Sequence, residues 1–108
     1  MELKVGNVIV LPFVKHQENN EGEARWCIVT EILQDEFEIV PLTKKTNQAK
    51  NYTDTIIIKK KSAEGKQMGI EHNSLIILDR RLTFKLSFFK KLLIKGQCTE
   101  ELIDKLIE

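Results

Sequence analysis

The chain has 108 residues, a net charge of +1 at neutral pH, 42% hydrophobic and 31% charged side chains. That is enough for one domain, residues 1–108, built around one hydrophobic core, and too little for a second. The composition excludes a disordered tail, and no apolar run approaches the ~18 residues of a membrane-spanning helix.

The opening "MELKVGNVIV" lacks the apolar region and small-residue cleavage site of a signal peptide, which predicts a cytoplasmic protein. Val8 to Leu11, closed by Pro12-Phe13-Val14 and preceded by Gly6-Asn7, reads as a first strand. "KHQENNEG" reads as a flexible polar loop. Trp26 to Val29 and Phe37 to Val40 flank "LQDE" as the arms of an antiparallel hairpin, and "TKKTNQAKN" follows as a second long loop. Tyr52 to Ile58 reads as a strand with both faces covered. "KKKSAEGKQMG" reads as a polar turn, and Ser74 to Leu78 and Leu82 to Leu86 as further strands. Phe88 to Ile94 fits either a strand or a short helix. Thr99 can cap a final helix whose first turn carries Glu100 and Glu101 and whose apolar face holds Leu102, Ile103, Leu106 and Ile107. The fold class is therefore mainly β with a C-terminal helix, a small, partly open antiparallel barrel.

Charge is unevenly distributed. Residues 1–43 are acidic, and residues 44–95 are strongly basic, a pattern that fits an anionic partner such as nucleic acid but also a solvated surface whose charges interleave on folding. Cys27 and Cys98 read as buried free thiols. With only His16 and His72 to join them, they do not make a tetrahedral metal site, so neither a metal nor another cofactor is expected.

Arg25 stands at the entry to one apolar run and Thr43 at the exit of the next. If the runs are neighbouring strands, both reach one end of the sheet. Arginine offers a planar fork of donors that stays charged, and the threonine hydroxyl donates to a phosphate oxygen or accepts from a sugar hydroxyl. Lys44, Lys45 and Lys50 extend the positive field. Trp26 and Tyr52 can stack on unpaired bases, although Trp26 equally fits a core position. His16 and His72 read as exposed loop residues, each able in principle to serve as an acid or base.

The ordered segments "VGNVIVLPF", "GEARWCIV", "FEIVPLTKK", "TDTIIIK", "MGIEHNSLIILDRRL" and "LLIKGQCTEELIDKLIE" together resemble the MazF/PemK family of toxin endoribonucleases over almost the whole chain. The matching residues are Gly6, Arg25, Pro41 with Thr43, Gly69 with Asn73 and Ser74, and Gly96 with Glu101. Trp26 replaces the proline that commonly follows the arginine, and Asn7 and Asn73 stand where aspartates are common.

The resemblance implies an SH3-like barrel, a homodimer, and metal-independent cleavage of single-stranded RNA by its own 2′-hydroxyl to a 2′,3′-cyclic phosphate. It implies Arg25 and Thr43 as the catalytic pair and an acidic, partly disordered antitoxin as partner. The apolar side chains Phe84, Phe88, Phe89, Leu92 and Leu93 exceed what one small core should absorb, so some should face a second subunit. "PLTKK" is also similar to a segment of barrel toxins whose antitoxin is a structured RNA. A non-catalytic barrel that binds RNA or protein is the alternative from another class.

Overall fold

The structure, a computed structural model, describes residues 3–16, 19–89 and 92–107, with the backbone alone within 12–23. Gln17, Glu18, Lys90 and Lys91 and the side chain of His16 thus lie outside the described parts. Among the described residues there are seven strands: β1 (Asn7–His16), β2 (Asn19–Ile32), β3 (Glu36–Thr43), β4 (Thr55–Ile58), β5 (Ser74–Ile77), β6 (Leu82–Lys85) and β7 (Leu93–Gln97). The helices are α1 (Ala63–Met68) and α2 (Glu100–Ile107). Every strand pair is antiparallel, in the order β4-β5-β3-β2-β1-β7 with β6 also on β3. The result is the predicted class: a mainly β chain whose curled sheet makes a partly open barrel, with a C-terminal helix.

Strand β3 organises the curl. One edge runs along β2, while the other pairs with β6 from Glu36 to Ile39 and then with β5 at Leu42 and Thr43. Pro41 falls at the changeover, where its missing N–H costs no ladder bond.

The expected single core is in fact two layers, one on each face of the sheet. Val8, Ile28, Val40, Leu42, Ile58, Met68, Ile76, Leu102 and Leu106 pack on the inner side, beneath α2. Ile9, Leu11, Cys27, Val29, Phe37, Ile39 and Leu92 pack on the outer side. The cause lies in β1, β2 and β3, whose apolar residues occupy both parities of the strand, so each face must be covered.

Phe84, Leu86 and Phe89 cover the outer face, with Phe37, Phe84 and Phe89 in a ring cluster at centroid separations of 6.1, 5.9 and 6.0 Å. Leu92 is buried there too. Three of the five apolar side chains read as more than one core should absorb are therefore used within the chain, because the sheet has an outer face of its own to bury. Phe88 and Leu93 remain exposed, at 77% and 54%.

Several loops are also corrected. The segment expected as a loop instead continues β1 to His16 and begins β2 at Asn19, with His16 paired to Asn19. "TKKTNQAKN" contains a 3₁₀ turn over Thr46–Asn51. The strand expected over residues 52–58 is shorter, and Ile57 is 46% exposed, so only one of its faces is covered. "KKKSAEGKQMG" contains α1: the Ser62 hydroxyl accepts the Gly65 N–H at 3.0 Å, and Gly69, at φ +72°, ends the helix in the left-handed conformation. Within 88–94, a 3₁₀ turn over Leu86–Phe88 gives way to β7.

Thr99 caps α2 as expected, its Oγ1 accepting the Leu102 N–H at 3.2 Å. Glu64 of α1 accepts the Thr99 N–H at 2.9 Å and also the Thr99 hydroxyl, which ties the two helices together.

Candidate RNA-binding and catalytic cleft

The β2–β3 ladder pairs Val29 with Ile39, Ile28 with Val40 and Cys27 with Pro41. Two residues further, the same register brings Arg25 level with Thr43. Arg25 is held on its other side against Leu11 of β1, and Thr43 against Leu75 of β5. The two residues thus belong to a rigid part of the sheet, and both line one cleft of about 650 Å³ with Trp26, Lys44, Lys45 and Tyr52. Of the seven residues expected to catalyse or bind RNA, those six are brought together. Lys50 does not line the cleft; it lies exposed in the last turn of the neighbouring 3₁₀ segment.

Arg25 is half-buried, and its Nε is fully buried with no hydrogen-bond partner among the described residues. An unsatisfied buried donor on a charged group costs on the order of 1–3 kcal/mol or more. The nearby Cys27 thiol is no counter-ion. Burial pushes its pKa up to about 12 against the opposing pull of Arg25, so it stays neutral, and its Sγ donates weakly to the Arg25 carbonyl at 3.6 Å. Among the described residues the one ion pair is Arg81–Glu38 at 3.1 Å, so Arg25, Lys44 and Lys45 have no carboxylate partner there.

The Thr43 Oγ1 accepts the Lys45 N–H at 3.2 Å. That bond fixes the turn leaving β3 and leaves the hydroxyl proton free to donate. Trp26 packs on the inner core, one of its two sequence readings, and also lines the cleft, with Lys95 Nζ 5.3 Å from its ring centroid. Tyr52 is likewise covered by a cation, the Arg80 guanidinium carbon lying 5.3 Å from its ring centroid.

His72, an exposed loop histidine able in principle to serve as an acid or base, lines the same cleft, together with Gln48, Glu71 and Ser74. It is exposed, as expected. The buried Ser74 donates its hydroxyl proton to the His72 carbonyl at 2.8 Å, so the start of β5 holds the loop against the cleft. No local signal marks this placement, because it depends on β5 pairing with the end of β3. Asn7 and Asn73 both make backbone-fixing bonds: Asn7 Oδ1 accepts the Lys4 N–H at 2.7 Å, and Asn73 Oδ1 accepts the Lys60 N–H at 2.8 Å.

Among the described residues, no three His, Cys, Asp or Glu side chains are grouped to hold a metal ion, and no helix is long and apolar enough to cross a membrane. The cleft is thus a pocket lined by cations, with a guanidinium on a ladder-held backbone, a free hydroxyl donor and an imidazole on its wall. No family model and no curated protein matches this chain.

Proposed function

We propose that this protein is a MazF/PemK-like toxin endoribonuclease that cleaves single-stranded RNA without a metal ion. The observation that carries this reading is the cleft that the half-buried Arg25 shares with Thr43, Lys44 and Lys45, whose cations have no carboxylate partner among the described residues. A phosphodiester supplies the anion that such a group of cations lacks.

In this reading the RNA provides the nucleophile. Its 2′-oxygen forms a bond to phosphorus while the P–O5′ bond breaks, giving a 2′,3′-cyclic phosphate and a free 5′-hydroxyl. Arg25 stabilises the charge that builds on the phosphoryl oxygens, and the Thr43 hydroxyl holds one of those oxygens in line. His72 takes the 2′-hydroxyl proton, and water protonates the departing 5′-oxygen on the opposite side of the phosphorus. The enzyme acts in the cytoplasm as a homodimer, and an acidic, partly disordered antitoxin blocks the cleft by competing for its cations.

The test is cleavage of varied single-stranded RNAs by the purified protein in excess EDTA. Products ending in a 2′,3′-cyclic phosphate, with all-deoxy strands left intact, are expected. A folded protein inert towards every RNA would overturn the reading.

A further inference from the structure

A second, shallower cleft adjoins the first and shares Lys44, Glu71 and His72 with it. Its other walls come from Lys59, Lys60 and Lys61, which follow β4, and from Thr46 and Asn73. All three of these lysines are exposed, and none pairs with a carboxylate among the described residues.

The backbone beneath them is fixed rather than loose. The Lys60 N–H donates to Asn73 at 2.8 Å, and the Lys59 carbonyl accepts both the Ser62 N–H at 3.1 Å and the Ser62 hydroxyl at 2.6 Å. Gly65 of α1 sits so close to the Lys59 carbonyl that a Cβ there would lie 2.2 Å from it. Four lysines, Lys44 included, are thus gathered on a built surface at one side of the Arg25–Thr43 cleft. The like charges repel one another, and an extended polyanion relieves that repulsion.

Resting on the proposed RNA cleavage, we propose that Lys59, Lys60 and Lys61 form a phosphate shelf that holds the single-stranded RNA on one side of the scissile bond. Lys44 lies between cleft and shelf and carries the backbone from one to the other. Glu71, the only carboxylate among the described residues lining either cleft, would repel a phosphate, so a base or ribose lies against it. Its oxygens accept from the exocyclic amines or the 2′-hydroxyl that RNA presents. The strand is therefore gripped asymmetrically: flanking nucleotides on the shelf side add affinity, and those on the other side add little.

The experiment measures binding of a fluorescent all-deoxy ten-nucleotide strand, which lacks the attacking hydroxyl, across a salt series. The wild type is compared with a K59Q/K60Q/K61Q variant and with a K85Q/K105Q control, whose lysines are exposed and line neither cleft. The triple variant should lower the slope of log K against log salt by about 0.7 for each phosphate released, or about 1.4–2.1 for two or three contacts. The control should leave the slope unchanged. With cleavable RNA, the triple variant should raise KM for a ten-nucleotide strand and leave a dinucleotide's kcat/KM unchanged.

An unchanged salt slope in a folded triple variant overturns the shelf, even if the protein cleaves RNA. A reduced slope in a protein that cleaves nothing upholds the shelf and discards the cleavage reading alone. Loss of binding to an Asp/Glu-rich peptide with no loss towards the nucleic acid would assign the lysines to a protein partner and also overturn the proposal.

Discussion

Arg25 of β2 and Thr43 of β3 stand level with each other two residues past the last ladder pair, Cys27 with Pro41, and line the same cleft. In such a position the shape of the donor matters as much as its charge. Arg25→Lys keeps the charge but loses the fork, so cleavage should fall nearly as far as in Arg25→Ala, by about 10²–10³-fold in kcat. Thr43→Val removes only the hydroxyl and should cost about 1.5–3 kcal/mol of transition-state stabilisation, whereas Thr43→Ser should retain most activity. Single-turnover cleavage assays check both; full activity in Arg25→Lys would show that the guanidinium geometry is not used.

His72 lines the cleft without being needed for the fold, since its side chain is exposed and the bond to Ser74 is made by its backbone carbonyl. His72→Gln should therefore leave the unfolding midpoint in place and lower kcat by about 10²–10⁴-fold, the usual range for a lost general acid or base. Cleavage at the wild-type rate would remove His72 from the mechanism and leave Arg25 and Thr43 as they are.

Gly96 is where α1 rests on β7. A Cβ at this position would lie 2.3 Å from the Met68 carbonyl oxygen and 2.5 Å from that of Gln67. Replacing a strand glycine with alanine ordinarily stabilises by roughly 0.5–1 kcal/mol. Here the sign reverses, because backbone must move to admit the methyl group, and Gly96→Ala should destabilise by about 1–3 kcal/mol. A urea titration gives the sign directly.

Burial pushes both Cys27 and Cys98 up to about 12 from an ordinary value of 9.0, with the Glu64 carboxylate adding to the rise at Cys98. Below pH 9 both folded and unfolded thiols are protonated, and the contribution to stability is fully present. Between about pH 9 and 12 the unfolded chain loses thiol protons that the native state keeps, so stability falls as pH rises. Comparing the wild type with a Cys27→Ala/Cys98→Ala variant isolates this component from the titration of lysine and tyrosine. Denaturation midpoints that fall equally steeply in both proteins above pH 9 would contradict it.

Phe88, Leu93 and Ile94 are exposed at 77%, 54% and 42%, and the latter two lie on β7, at one end of the sheet's strand order. An open strand edge carrying apolar side chains is a ready surface for a second copy. The wild type should scatter light as a dimer at micromolar concentration. Phe88→Asp combined with Leu93→Lys should give a monomer with unimpaired thermal stability, because neither side chain is in the buried layers. A monomeric wild type would end the dimer proposal.

The sequence by itself determined the elements whose signals are local. The apolar runs around "LQDE" specify the β2–β3 hairpin, Thr99 and the spacing of Leu102 and Leu106 specify α2, and the positions of Arg25 and Thr43 at the ends of two runs follow from the same hairpin. Tertiary structure decided the rest. Helix α1 spans only six residues and buries only Gly65 and Met68, so its pattern is too short to read, and it is secured by the Ser62 and Gly69 caps and by Glu64 reaching Thr99. The side chains of Phe84 and Phe89 looked surplus because apolar residues on alternate parities of one strand do not reveal that both faces of a sheet will be covered. His72, Glu71 and the Lys59–Lys61 run reach the Arg25 side of the molecule only through the pairing of β5 with β3 and of β4 with β5. Such pairings between distant segments arise from register and burial across the whole sheet, and no window along the chain contains them.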